Sequence, residues 1–514
     1  MKKILVSALV LLIVFALVGS AAAAPGDRQR LHDDRSGLVF IGFVDDATAV
    51  VQRSTGQIQL LTLADGTTST IVSDGWGQVS DDGAWLVFVQ SVGRSTAMYS
   101  MPLPTGPIVQ LTPDDIEGGV WEFGFVPGSD HLVYRADIDE RHMIELYSVP
   151  LSGGPSVKLN RDLPATIDTG GRRGSGGDVR SFVASPAGRV VYVGDARTNN
   201  VREVYSVRLD GTGHKRLSGR MVAGGDAMLR LELSPDGTKV AYVADQHTNN
   251  QRELFVAPID GSSRGVKVSG PMIAAGDLPK LSSRGFALDP IHERQAYAFS
   301  RDGSRIVYQA DARVNDQLEL FSVNTDGTDL VRLNPDPPAG GLVQFFAITE
   351  RGNRVVYAGD VRTNNKRELF STPIDVRDTT RLSPRLERWG DVNSYWDIHD
   401  DVVVFSADVE TNGVRAAYTV PADGSDRAMR ISGSDDRVTG RYSTRFTPTG
   451  EYVVYLNRLP DLRWTTLAVP ATGGETTLLR TGRTDMRRSV VSPGGSYMLA
   501  RSESDFVWLI EMPT

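Results

Sequence analysis

Three stretches of this chain repeat one oxygen-rich loop. It reads Asp195-Ala196-Arg197-Thr198-Asn199-Asn200-Val201-Arg202-Glu203. It returns from Asp245 to Glu253, with Asn249 and Asn250, and from Asp360 to Glu368, with Asn364 and Asn365. Looser copies run from Asp311 to Glu319 and from Asp137 to Glu145, and Asp408 to Gly413 keeps only the start, with Ala416 where Glu would stand. Three chemistries suit the pattern D-x-x-T-N-N-x-x-E. In the first, Asp accepts loop N–H bonds, Asn takes a left-handed φ, and Glu meets an Arg across the hairpin or from a neighbouring unit. In the second, the oxygens ligate a hard cation such as calcium. In the third, the loop tips contact a ligand directly. The spacing lacks the D-x-D-x-D-G density of a calcium loop, and Arg197, Arg202, Arg252 and Arg367 would repel a cation. No cofactor is therefore expected, and Ca2+ stands as the alternative.

Other reactive types are scattered. The histidines are His32, His131, His142, His214, His247, His292 and His399. No pair has helical metal spacing, and only His247 and His292 fall on segments that could share a pocket. No phosphate loop, dinucleotide fingerprint or H-E-x-x-H is present. Trp121, Trp396 and Trp464 fall near strand positions and read as packing, whereas Trp389 is a candidate for stacking on a sugar. No catalytic residue is assigned.

The elements that must position the loops are strands. In the copy Ser234-Pro235-Asp236-Gly237 to Ser262, the four segments are Leu229–Ser234, Thr238–Ala244, Glu253–Ile259 and Arg264–Ser269. They alternate at strand period and are bounded by Pro-Asp-Gly and Asp-Gly turns. The unit recurs about every 48 residues, the period of a four-stranded propeller blade. Ten second strands can be counted, from Thr48–Val51 to Tyr497–Ala500. The last unit supplies only three strands, and Arg30-Leu31-His32 resembles fourth strands such as Arg216-Leu217-Ser218. The expected fold is all-β: one ring of about ten blades, the last completed by the N-terminal strand, with two smaller propellers as the alternative. Connections alternate between faces, so the repeated loops share a face with the blade-to-blade connections, the longest being Arg161–Arg180 and Gly270–Glu293. That face is where function is expected.

The residues Ser234-Pro235-Asp236-Gly237, Val240-Ala241-Tyr242, Glu253-Leu254-Phe255 and Asp260-Gly261-Ser262 resemble the TolB-type β-propeller repeat. The resemblance is strong in the middle copies and thin in the first two and last two. It implies an exported bacterial propeller more than any activity. Nothing here resembles the extra α/β domain of TolB, or the hydrolase domain of the prolyl oligopeptidases that carry similar repeats.

Bulk features agree with export. Lys2 and Lys3 precede the apolar run Ile4–Val18 and the small residues GSAAAA, the layout of a secretory signal. The expected division is a signal peptide over residues 1–24 and a propeller over 25–514, with a retained anchor from Ile4 to Ala24 as the alternative. The 514 residues contain no cysteine, so core packing and hydrogen bonds alone must hold the fold. The formal charge of −8 and the lack of a basic block exclude nucleic acid as a partner. No membrane span is expected after signal removal, and the pattern is silent on self-assembly. The functional expectation is a periplasmic or secreted, non-catalytic binding propeller for a protein, peptide or glycan. A glycan lyase or hydrolase with acids at the central channel is the alternative.

Overall fold

The computed structural model describes residues 28–30, 38–93, 95–113, 116, 118–138, 143–164, 177–279, 296–440, 443–486, 489–501 and 507–513. The expected signal, Leu31, His32, His142, His292, Phe506 and most of both long connections lie outside them. The described residues form ten antiparallel four-stranded sheets and no helix. Nine sheets take their strands consecutively from the chain. The tenth orders Val490–Val491, Tyr497–Arg501, Val507–Glu511 and then Arg28–Arg30, with Arg28 opposite Ile510 and Arg30 opposite Trp508.

A single blade cannot bury both faces of its sheet, so each shares a core with its neighbours. Ten apolar clusters result, one per interface. Val50, Leu86 and Phe88 join blades 1 and 2, and Ala241, Leu254 and Tyr308 join blades 5 and 6. The tenth cluster, with Leu38, Val51, Leu61, Leu499 and Leu509, joins blade 10 to blade 1. Every interface is between consecutive blades or between the last and the first. The architecture is thus one ring of ten blades, not two smaller propellers.

Inside the blades the pleat sets aromatic residues opposite one another on the second and third strands. Tyr242 faces Phe255 with ring centroids 5.3 Å apart, and six equivalent pairs run from Phe88–Tyr99 to Phe405–Tyr418. Such stacked pairs add to the area term. The Pro-Asp-Gly turns close the plain face: Gly237 takes φ +68°, and Asp236 accepts the Thr238 N–H at 3.0 Å. Third-strand hydroxyls then tie blade to blade on that face. Ser100, Ser148 and Ser206 donate to the carbonyls of Leu151, Leu209 and Ile259, at 2.6, 2.6 and 2.5 Å.

Candidate functional site

The repeated loop joins the second and third strands, on the face opposite the Pro-Asp-Gly turns. Its first Asp is buried in each copy, and its two oxygens do different work. In blade 5, Asp245 Oδ2 accepts the N–H of Asn250 at 2.9 Å, closing the loop on itself. Oδ1 accepts the N–H of Asp226, the residue just before the innermost strand, at 2.5 Å. Asp226 in turn accepts the N–H of Arg202 from blade 4 at 2.8 Å and meets its guanidinium at 2.8 Å. Blade is therefore locked to blade through the loop. The same relay runs from Asp195 to Asn200 and Asp178, and from Asp311 to Asp316 and Asp277. Asp360 binds the N–H groups of Asn365 and Leu342, each at 2.9 Å.

The second Asn stands where the chain turns left-handed. Asn200, Asn250 and Asn365 have φ of 61°, 63° and 61°, and the looser copy places Asp316 there at 61°. Asn and Asp tolerate this region best among residues with a Cβ. Blade 8 uses Gly413, at φ 77°, for the same purpose. The first Asn packs on the connection into the same blade. A Cβ on Gly224 would lie 2.9 Å from Nδ2 of Asn249, and one on Gly340 would lie 3.0 Å from Nδ2 of Asn364. Asn199 holds the same place in its loop and is half-buried.

Glu203, Glu253 and Glu368 are also buried. Each pairs with a cation on the fourth strand of its own blade: Glu203 with Arg216 at 2.6 Å, Glu253 with Lys267 at 2.5 Å and Glu368 with Arg381 at 3.2 Å. Glu203 further accepts the Tyr205 hydroxyl at 2.6 Å, while Glu253 meets His247 at 2.7 Å. The acids of the loop are thus held in the brace, and the loop offers its Thr and Asn tips to solvent. Thr198, Asn200, Thr248, Asn249, Asn250, Thr363, Asn364 and Asn365 are exposed. Calcium does not fit this arrangement. Both oxygens of each Asp already face N–H donors, whose positive ends would oppose a cation. Among the described residues no cluster of three acids or histidines is spaced to hold a metal.

Two aromatic positions belong to the same face. Trp389, in the connection into blade 8, is 67% exposed and lies under the Arg388 guanidinium at 5.0 Å. Trp121 corrects the packing expectation. It sits at a bulge where the innermost strand of blade 3 begins, 58% exposed, with Nε1 3.4 Å from Asp137 Oδ1. A bulge turns one residue out of the alternation, so period alone could not place it. Trp396 is buried as expected, and Trp464 is half-buried beneath Arg483, 4.6 Å from the ring.

The innermost strands carry one feature the sequence did not flag. Glu232, in blade 5, lines a groove of 430 Å³ with Glu122, Phe123 and Phe182 on the channel wall. Its carboxyl accepts the Phe299 N–H of blade 6 at 3.2 Å, and Oε2 is enclosed without a partner. Burial pushes its pKa up to about 7, against the weaker pull of the Phe299 N–H and of Arg230. Asp397 accepts the Phe446 N–H of blade 9 in the same manner, at 3.0 Å. In sequence both acids are single alternating positions of a strand, which mark nothing by themselves.

No model of a known protein family matches the chain, and no characterised protein matches it in sequence. Solved structures similar to it include dipeptidyl peptidase 4 of Porphyromonas gingivalis, at 12% identity and a TM-score of 0.44, covering 92% of this chain and 56% of that one. Oligogalacturonate lyase in complex with manganese is 14% identical with a TM-score of 0.33, covering 67% and 92%. TolB of Acinetobacter baumannii is 16% identical with a TM-score of 0.27, covering 57% and 62%. The chain spans little more than half the length of the peptidase. At these identities the likeness concerns the propeller fold alone.

Proposed function

We propose that the protein is an exported β-propeller that binds a protein, peptide or glycan, without catalysis, on the face of its D-x-x-T-N-N-x-x-E loops. The observation that carries this reading is the division of labour within the loop. Buried Asp and Glu make it rigid, and exposed Thr and Asn tips on blades 4, 5 and 7 stand on that support. Polar tips held in fixed positions bind without paying for loop ordering. Trp121 and Trp389 add exposed rings to the same face, and the signal-like N-terminus supports a periplasmic or extracellular address. Among the described residues no helix is long and apolar enough to cross a membrane.

A propeller enzyme acting on glycans is the second reading, favoured by Glu232, whose carboxyl sits near neutrality beside Glu122 in the channel-wall groove. Against it, Oε2 is enclosed and the other oxygen takes a neighbouring blade's N–H, which is the placement of a clamp. One experiment addresses both. Purified protein and a variant with Thr198, Thr248 and Thr363 all changed to Ala are presented with envelope extract and with defined oligosaccharides. Retention by the wild type and loss by the variant supports the binding face. Cleavage of an oligosaccharide by the wild type but not by Glu232→Gln would overturn the non-catalytic reading.

A further inference from the structure

The outer rim of the ring carries one arginine cluster twice, once with an acid at its centre and once with Arg220 at the matching sequence position. In blade 6, Arg313 of the repeated loop, Arg332 of the fourth strand and Arg377 from the outer turn of blade 7 converge on one carboxylate, Asp336. The distances are 2.7, 2.5 and 3.3 Å. The three guanidinium groups hold that carboxyl far below the usual range. Arg313 is also bound to Glu319, at 2.9 Å.

Two blades earlier the same positions are filled differently. Arg197 matches Arg313, two residues after the loop Asp, and Arg216 matches Arg332, thirteen residues after the loop Glu. Arg264 comes from the outer turn of the following blade, as Arg377 does. The residue matching Asp336, seventeen after the loop Glu, is Arg220. Here the built-in acid is missing and a cation stands at its position. Glu203 does not compensate, because Tyr205 hydroxyl takes the oxygen that Arg313 takes in blade 6, where Phe321 has no hydroxyl to offer. Among the described residues Arg197 and Arg264 pair with no acid.

A cavity of 590 Å³ opens at this place, walled by Arg197, Arg216, Arg264, Lys215 and Arg161. Among the described residues Asp162 is the single carboxylate on its wall; His214 and the hydroxyls of Tyr192, Tyr205, Ser262 and Ser263 complete the polar lining. The volume falls in the range of small-ligand sites. Convergent guanidinium groups favour planar carboxylates, which they can grip through two parallel N–H bonds. The turn Gly261-Ser262-Ser263-Arg264-Gly265 spells G-x-S-x-G, but it is a hairpin tip and not the strand-to-helix elbow that would expose a nucleophile.

We propose that this cleft between blades 4 and 5 is a binding site for a small organic polycarboxylate, whose carboxylate takes the place that Asp336 fills two blades away. The net positive wall agrees with more than one negative charge on the ligand. His214 reports on it: burial first, then the charges of Arg161 and Arg189, hold its pKa below the ordinary value, and a bound polyanion would reverse the charge contribution.

The test is calorimetric titration of the full-length protein with citrate, alongside inorganic phosphate and glucose. One citrate per chain is expected, with weaker phosphate binding and no glucose binding. Arg197→Ala and Arg264→Ala should each weaken citrate at least tenfold. Arg220→Asp, which installs the acid that blade 6 possesses, should weaken it as much. All three residues are exposed, so unchanged melting profiles will confirm folding. The His214 titration should move upward with saturating citrate. No citrate binding by the wild type, undiminished binding by Arg197→Ala, or phosphate binding as tightly as citrate would overturn the assignment.

Discussion

Replacing Asp245 by Ala removes the acceptor that closes the loop of blade 5 on itself and the acceptor that joins this loop to the connection from blade 4. The N–H groups of Asn250 and Asp226 lose bonds of 2.9 and 2.5 Å. A hydrogen bond to a charged group contributes roughly 1.5–3 kcal/mol. The two together would reach about 3–6 kcal/mol, and water entering at the exposed tip returns part of that, leaving about 3 kcal/mol. Amide hydrogen exchange reads the effect at its source. The Asp226 and Asn250 amides should exchange on the order of 100-fold faster, as about 3 kcal/mol of local opening free energy implies, while the strand amides of blade 9 stay unchanged. Asn at 245 should fall between wild type and Ala, since it keeps one acceptor and turns an NH2 group toward an N–H donor. Blade 9 shows when Asn suffices. There Asn457 accepts the Arg437 N–H at 2.7 Å and donates to Asp436, also at 2.7 Å. The same samples melted with calcium and with a chelator should give one midpoint. Unchanged exchange at residues 226 and 250, or a midpoint that falls on chelation, would refute the brace.

Asn250→Ala should cost about 1 kcal/mol, because Ala at φ 63° is strained, and Asn250→Gly should be nearly neutral; urea denaturation compares the two. Glu232 carries a pH dependence whose sign follows from its raised pKa. The native state holds a proton that the unfolded state releases, so stability is full below about pH 4.5, falls as pH rises toward 7, and is flat above. Glu232→Gln keeps an acceptor for Phe299 and should remove that slope, which denaturation at pH 5 and pH 8 would reveal as a loss of up to about 3 kcal/mol in the wild type alone. Trp389→Ala, at a ring 67% exposed, should leave the melting temperature unchanged while reducing capture of any ligand of the loop face. A chain beginning at Leu38 lacks the partner of Val507–Glu511 and should melt lower and self-associate through that bare edge, measurable by light scattering.

Much of the molecule is legible without coordinates because a repeated fold states its rules many times. Alternation at Val240 to Val243, bounded by Asp236-Gly237 and Asp260-Gly261, defines strand and turn locally, where chirality and hydrogen bonding act over a few residues. Repetition at about 48 residues then counts the blades. The chemistry of Asp245 and Asn250 was readable for the same reason: an acceptor and a left-handed position are local needs.

Partnership across blades was not readable. That Asp245 reaches Asp226, that Glu232 meets Phe299, and that Trp121 turns outward at a bulge depend on how neighbouring sheets are rotated and spaced. No spacing along the chain encodes those distances. The contrast between Asp336 and Arg220 shows the division most clearly. Both letters are visible in sequence, yet only the ring brings residues from one blade and the next turn within 3.3 Å of a shared point. Short-range forces make the strands and their turns. The charges that remain to be satisfied are set by long-range packing, and with them the sites where a ligand can bind.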